Sequence, residues 1–174
     1  MIYYDDYWLR PIETTDLRWC KQLRNDAETW PFLGTFVLLD EFKQEAWLKK
    51  VSLDNSQEFL IFGKARKKIG YVRLTEIDRI NRSVCVGGDI LPRERGKGHA
   101  KMMFKLIFQL GFKQWPMHRL WLLVMETNKA AVNLYQKLGF KLEGKQREAI
   151  FRDGKYINYL MMSILKDEAG ELID

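Results

Sequence analysis

Cysteine and histidine are scarce in this 174-residue chain, and their scarcity narrows the chemistry it can perform. The two cysteines, Cys20 and Cys85, have neither the pairing of a disulfide nor the spacing of a metal site. We therefore expect two buried free thiols and a reducing, cytoplasmic setting. The two histidines, His99 and His118, have no second ligand at metal-binding spacing, so the sequence predicts no metal.

The chain also lacks long apolar runs, linkers, repeats and low-complexity tracts. No apolar run approaches the ~20 residues that span a bilayer. The first residues show no basic region followed by an apolar one, so we expect neither a membrane partner nor a secretory signal. With 47% hydrophobic residues, the chain is predicted to form a single domain over residues 1–174.

A dense basic run is missing as well, although positive charge is in excess. The net charge of +6 and the pI of about 9.3 permit nucleic-acid binding. Lysine and arginine are nevertheless spread through the chain, as on a solvated surface with an anionic small-molecule ligand. We therefore expect no nucleic-acid partner.

Apolar periodicity predicts an α+β fold. Four segments have helical spacing, at about Thr15–Leu23, Glu41–Val51, Gly98 to near Gly111 or Lys113, and Asn128–Leu138. Seven segments have strand patterns: Trp8–Pro11, Glu58–Ala65, Ile69–Ile77, Ser83–Leu91, His118–Met125, Lys141–Phe151 and Tyr156–Leu165. Short polar turns join most of the strands, which favours a central mixed, mostly antiparallel sheet of about seven strands flanked by about four helices.

The most informative stretch runs from Gly87 to Lys113, where a strand, a basic glycine-bearing turn and a helix follow one another. The first turn of a helix offers free N–H groups and the positive end of the helix dipole. Gly96 and Gly98 allow a positive φ and a close approach to a ligand. Three cations lie on the same turn: Arg93, Arg95 and Lys97. A pyrophosphate would fit there, although such a turn is often only a tight connection.

Two motifs resemble the GCN5-related N-acetyltransferase (GNAT) superfamily. Arg93-x-x-Gly96-x-Gly98, after a strand and at the start of a helix, is similar to its acetyl-coenzyme A signature. The stretch NKAAVNLYQKLGF, from Asn128 to Phe140, agrees in order and spacing. The resemblance extends over Leu9–Met162 and is closest to the branch of ribosomal-protein alanine, spermidine and amino-sugar acetyltransferases. It implies the GNAT fold and acetyl-CoA as cosubstrate.

The resemblance also implies where the cosubstrate binds. In the family two parallel strands splay apart and the pantetheine arm enters the gap, so the backbone of Asp89, Ile90 and Leu91 is expected to hold it here. Asn128 matches an asparagine that contacts this arm, and it also suits a plain N-cap. The expected cofactor-binding loop comprises Arg93, Arg95, Gly96, Lys97, Gly98, His99 and Ala100.

Catalytic groups follow from the same resemblance. Tyr135 matches a tyrosine whose hydroxyl approaches the cofactor sulfur, and a phenol of pKa ~10 is a proton donor at neutral pH; packing alone also explains an aromatic residue there. Glu76 matches a carboxylate of the spermidine branch and is predicted as the general base, with Asp89 as the alternative. A backbone N–H near Ile90 or Leu91 would stabilise charge on the carbonyl oxygen.

These expectations describe an acetyl-CoA-dependent N-acetyltransferase that acts on a primary amine by direct transfer in a ternary complex. The acceptor stays open among small-molecule and peptide amines: a protein N-terminus, a polyamine, an amino sugar, a nucleotide-linked amino sugar or an aminoglycoside. Related enzymes often have Glu at the position that Cys85 occupies here, and this difference disfavours a polyamine as the acceptor. A non-catalytic acyl-CoA-binding or partner-docking module on the same fold is the alternative, and a homodimer is compatible with the resemblance.

Overall fold

One β-sheet runs through the part of the chain that the computed structural model describes, residues 1–34 and 37–170. Its eight strands within those ranges are β1 (Ile2–Tyr4), β2 (Tyr7–Pro11), β3 (Glu58–Lys64), β4 (Lys67–Asp78), β5 (Ser83–Ile90), β6 (Arg119–Met125), β7 (Lys141–Arg152) and β8 (Lys155–Leu165). Their order is β1-β2-β3-β4-β5-β6-β8-β7, with a parallel pairing between β5 and β6 and antiparallel pairing elsewhere. The predicted α+β class and mostly antiparallel sheet are confirmed. Positions 35–36 and 171–174 of the predicted domain lie outside the described residues.

The helices lie on both faces of the sheet. The described α-helices are α1 (Leu17–Arg24), α2 (Glu41–Ser52), α3 (His99–Phe108) and α4 (Lys129–Lys137). The first two pack on one face and the last two on the other. A π-helical segment, Gln109–Gln114, continues α3 and ends before Pro116, which cannot extend a helix. None of the described helices is long and apolar enough to cross a bilayer.

The central strands are buried on both faces because their apolar residues are consecutive. Leu60 and Val72 face α3 and belong to the larger core cluster. Phe59, Ile61 and Tyr71 face the opposite way and pack with α1 and α2. Each such side chain contributes about 1.5–3 kcal/mol when fully buried, so the two cores hold both helical layers on the sheet.

The strand that the sequence analysis missed is β1. It pairs with β2 through a tight turn in which Asp5 has a φ of +52°. Lys105 of α3 donates a hydrogen bond of 2.6 Å to the hydroxyl of Tyr4 and so ties the strand to the core. A segment of three residues is too short for its periodicity to indicate a strand.

The start of α1 also differs from the prediction. A 3-10 turn, Thr14–Asp16, precedes the α-helix. Asp16 is buried and accepts hydrogen bonds from Arg10 at 2.6 and 2.8 Å and from Lys68 at 2.6 Å. Burial alone would raise the pKa of Asp16, but these cations and the backbone N–H of Glu13 lower it to about 2. Asp16 therefore joins α1 to the sheet.

Candidate active site

Strands β5 and β6 diverge. Their parallel pairing covers only Ser83–Cys85 against Arg119–Trp121. Beyond it, β5 continues to Ile90 and β6 to Met125. The splay implied by the family resemblance is therefore present, and it opens a gap beside the second half of β5.

The backbone of β5 directs N–H groups into this gap. The N–H of Leu91 donates to the carbonyl of Ile69 at 3.0 Å, and Ile90 lies opposite Gly70. Hydrogen-bonded and non-hydrogen-bonded pairs alternate in an antiparallel ladder. The N–H groups of Gly88 and Ile90 consequently point away from β4. Of the two amides predicted to stabilise the carbonyl oxygen, Leu91 is already engaged and Ile90 is available.

The turn between β5 and α3 exposes its backbone. Gly96 has a φ of +74° and Gly98 a φ of +81°. A Cβ added at either position would meet no described atom within 4 Å, so the backbone conformation, rather than space, favours glycine. Gly98 directly precedes α3. The N–H of Lys101 donates to the carbonyl of Gly98 at 3.1 Å, so the N–H groups of His99 and Ala100 are the first-turn donors that remain for a ligand. Open backbone at a helix N-terminus suits an anion such as pyrophosphate.

A cleft of about 620 Å³ joins the gap to this turn, a size within the ~300–1,000 Å³ of small-molecule sites. The predicted site residues that line it are Asp89, Ile90, Arg95, Gly96, Gly98, His99, Ala100, Asn128 and Tyr135. Those that do not line it are Glu76, Leu91, Arg93 and Lys97. The sequence analysis overlooked other lining residues, among them Thr29, Lys101, Met103, Phe104 and Lys137.

Arg95 fastens the turn to the rest of the protein. Its Nε donates to the carbonyl of Ile90 at 3.0 Å, and its Nη2 donates to Oγ1 of Thr29 at 2.7 Å. A third bond, of 3.2 Å, goes to the carbonyl of Glu28. The backbone N–H of Arg95 donates to the carbonyl of Pro92 at 3.1 Å. Both the side chain and the amide of Arg95 are therefore occupied in positioning the loop.

The other cations of the turn are also arranged differently from the prediction. Lys97 donates to Oε2 of Glu94 at 2.9 Å, and Arg93 is exposed outside the cleft. Lys101, in the first turn of α3, and Lys137, at the end of α4, line the cleft instead. Helical spacing places both beside the gap, but neither belongs to the motif from which the site was predicted.

His99 is held by protein groups on both ring nitrogens. Its Nδ1 shares a hydrogen bond of 2.8 Å with the hydroxyl of Tyr7, and its Nε2 lies 3.5 Å from Oε2 of Glu94. The buried ring therefore anchors the start of α3 to β2. The described part of the chain contains no group of three or more His, Cys, Asp or Glu side chains that could hold a metal ion.

Tyr135 projects from α4 into the cleft. Its ring packs edge-on against Phe104, with centroids 5.3 Å apart, and also contacts Phe140. Its hydroxyl has no hydrogen-bond partner among the described residues. Burial raises the pKa of Tyr135 to about 12, although the nearby Arg73 opposes the shift. The phenol is thus protonated at neutral pH and free to donate to a ligand.

Asn128 performs a structural role at the same time as it faces the cleft. Its Oδ1 accepts a hydrogen bond of 3.2 Å from the N–H of Ala131 and so caps α4. The residue also lines the cleft. The two readings of Asn128 are therefore compatible.

An ion pair between Arg73 and Asp89 separates the cleft from a second cavity. Asp89 lines the cleft, whereas Arg73 lines a cavity of about 260 Å³ on the face covered by α1 and α2. Arg24 and Gln44 contribute to the same cavity. Because the carboxylate of Asp89 is held by a guanidinium, it is a poor candidate for the general base.

Glu76 lies away from both cavities. It is exposed and has a φ of +50° at an irregularity of β4 between Thr75 and Asp78. Regular alternation does not continue through such a bulge. Because Glu76 does not line the cleft, a proton from an amine in the cleft would reach Glu76 only through water. Its role as general base stays a prediction.

The comparisons with known proteins agree with this geometry. Residues 7–141 match the family model for the acetyltransferase (GNAT) domain. The chain belongs to the GNAT acetyltransferase family. Its reaction is the acetyl-CoA-dependent acetylation of an amine, and acetyl-CoA is its cosubstrate.

Several relatives of this acetyltransferase are spermidine N-acetyltransferases. That of Escherichia coli K12, a spermidine N(1)-acetyltransferase, is 31% identical over 166 residues, which cover 92% of this chain and 86% of the relative. The Vibrio cholerae protein is 30% identical over 162 residues, covering 92% and 93%. A crystal structure of the V. cholerae enzyme with CoA and spermine superposes with a TM-score of 0.91 at 29% identity, covering 95% of this chain and 99% of the other.

Proposed function

We propose that the acetyltransferase moves the acetyl group directly from acetyl-CoA to a primary amine within a ternary complex. The unpaired edge of β5 would hold the pantetheine arm as an added strand, and the amides from Gly96 to Ala100 would hold the pyrophosphate, while Arg95 positions the loop. Arg93, Lys97 and Leu91 would act from outside the cleft, through loop charge and backbone.

The chemical step assigns one task to each group. An amine that has lost its proton attacks the thioester carbonyl; a C–N bond forms and the C–S bond breaks. The N–H of Ile90 stabilises the charge on the carbonyl oxygen. Tyr135 protonates the departing thiolate. A proton of the amine is released through water to Glu76 and the solvent, and a further proton restores Tyr135.

The observation that carries this proposal is the unpartnered hydroxyl of Tyr135 beside the splay. The test replaces Tyr135 by Phe. We expect kcat to fall by about 10²–10⁴-fold, the usual contribution of a positioned acid, with CoA affinity within about threefold of wild type. Tyr156→Phe, on the exposed end of the β7–β8 hairpin, is the matched control. An unchanged kcat in Tyr135→Phe would remove the assigned role.

The assembly and compartment are proposed more broadly. A dodecameric structure of the spermidine N-acetyltransferase from V. cholerae superposes on this chain with a TM-score of 0.84 at 27% identity. It supports a multimer for this chain, and the predicted homodimer would be its smallest form. Sedimentation velocity would distinguish the two.

We also propose a single domain over residues 1–174 and a cytoplasmic setting, which two free thiols support.

The acceptor is a primary amine, for which two classes have support. The similarity to spermidine N-acetyltransferases supports a polyamine. The cavity that Arg73 shares with Arg24 supports a different class of amine.

A further inference from the structure

The cavity under α1 and α2 contains a cation without a counterion. Arg24, the last residue of α1, lines it together with Arg73. Arg73 is paired with Asp89, but Arg24 has no hydrogen bond or ion pair with any described residue. The described lining of this cavity includes no carboxylate. A partly buried guanidinium is costly to leave uncompensated.

The electrostatic environment of Arg24 agrees with this geometry. Burial, and then repulsion by Arg73, lowers the pKa of Arg24. The negative end of the α1 dipole offsets part of that cost, because Arg24 lies in the last turn. It does not supply the planar pair of oxygens that a guanidinium binds best.

A second unsatisfied group lies in the same cavity. The side chain of Gln44 on α2 is 5% exposed, and its Oε1 has no hydrogen-bond partner in the described structure. Such a carbonyl requires a donor, since an unsatisfied buried acceptor is unfavourable. The cavity thus presents one cationic fork and one acceptor, and Phe59 and Trp47 provide apolar walls.

We infer that the acceptor amine also carries a carboxylate, which Arg24 binds, and an N–H or O–H group, which donates a hydrogen bond to Oε1 of Gln44. This inference rests on the proposed acetyl transfer. The cavity and the cleft adjoin at the Arg73–Asp89 pair, and the inference requires one small amino acid-like molecule to extend past this pair from one to the other. Arg73 is paired with Asp89, so the unpaired guanidinium of Arg24 is the charge that repels a polycation and favours the neutral, nucleophilic form of a nearby amine. A volume of about 260 Å³ suits a small acid rather than a nucleotide.

The test compares amines that differ only by the carboxylate. Acetylation is measured with L-phenylalanine against phenethylamine, L-tyrosine against tyramine, and L-leucine against isoamylamine, with spermidine and spermine alongside. O-phosphoethanolamine against ethanolamine separates a phosphate from a carboxylate. We expect kcat/KM to be about 10- to 100-fold higher for at least one acid than for its decarboxylated partner, as a charge-assisted pair contributes.

Variants of α1 test whether Arg24 causes the preference for the acid over its decarboxylated partner. Arg24→Gln should reduce the ratio of acid to decarboxylated amine to about one, and Arg24→Lys should restore part of it. Arg18→Gln makes the same charge change on the exposed side of the helix and should keep the wild-type ratio. Thermal melting and CoA binding establish that each variant is folded; if Arg24→Gln does not fold, Arg24→Lys must still lower the ratio.

Failure of the inference differs from failure of acetyl transfer. A preference for spermidine or for the phosphate over every carboxylate, or a ratio unaffected by Arg24, overturns the inference while acetylation itself stands. If no amine is acetylated, the proposed function fails. Calorimetric titration of the same amines into the CoA-saturated protein then tests the inference about the carboxylate. Arg24-dependent heat with a carboxylate-bearing amine supports the inference, and the absence of heat with all of them overturns it.

Discussion

Arg73 on β4 is ion-paired with Asp89 on β5, on the sheet face that α1 and α2 cover. The pair forms the boundary between the cleft that contains Tyr135 and the cavity that contains Arg24. Asp89 is therefore the counterion of Arg73, while the guanidinium of Arg24 would keep its charge for the proposed ligand.

Removing this counterion should destabilise the protein. In Asp89→Asn, Arg73 would stay largely buried without its partner, although its 28% exposure allows some solvation. We expect the free energy of unfolding to fall by about 2 kcal/mol, less than the ~3–5 kcal/mol of a fully buried pair. Urea denaturation measures the change. The double variant Asp89→Asn/Arg73→Gln should recover part of the loss; strictly additive losses would mean that the two residues do not interact.

Acetyl transfer should keep its rate in alkaline solution. A general acid must be protonated to act, and the pKa of Tyr135 is raised to about 12 by burial. The alkaline limb of kcat should therefore lie above about pH 10, beyond the range of an ordinary phenol. The measurement is kcat at saturating amine over this range, corrected for uncatalysed thioester hydrolysis. A decline that begins near neutral pH would assign the proton donor to another group.

The local part of the site could be predicted from sequence, because it is continuous in the chain. Strand, glycine turn and helix follow within Gly87–Lys113, so the proposed anion site depends on backbone geometry that nearby residues determine. The same holds for the cap of α4 by Asn128. Which loop cations remain free could not be predicted, since the partners of Arg95 are Thr29 and Ile90, set by the way the chain folds back.

Features that depend on distant residues were not accessible from the pattern. Arg24, Gln44 and Arg73 meet only because α1 and α2 both cover β4. Glu76 was chosen because it matches a carboxylate of the spermidine branch, and the bulge that surrounds it in β4 could not be predicted from the sequence. The side chain of Asp16 is bound by Lys68, 52 residues away in sequence.

The buried Asp16 predicts a loss of stability in acid. Its pKa falls from 3.8 to about 2 on folding. A carboxyl with a lowered pKa stabilises the fold fully above its unfolded pKa, and this contribution is lost as the pH falls from about 4 to 2. The amount is about 2 kcal/mol, at ~1.4 kcal/mol per pKa unit. Chemical denaturation across this range should show the slope in wild type.

Two matched variants test whether Asp16 causes this pH dependence of the free energy of unfolding. Asp16→Asn should be less stable at neutral pH, because Arg10 and Lys68 lose their counterion, and should lose this pH dependence. Asp153→Asn, on the exposed turn between β7 and β8, should retain it. The same slope in Asp16→Asn as in wild type would place the acid sensitivity in other carboxylates.

Cosubstrate binding should depend on the backbone of Gly98 rather than on its size. Its φ of +81° disfavours alanine by about 1 kcal/mol, whereas asparagine adopts this region more readily. No described atom would clash with either side chain at its Cβ. We expect the Kd for CoA to rise by about fivefold or more in Gly98→Ala and by less in Gly98→Asn, measured by calorimetry with urea denaturation as the check on folding. Equal affinities in the two variants, both weaker than wild type, would show that the bulk of any side chain, rather than the left-handed backbone, impairs binding at the turn.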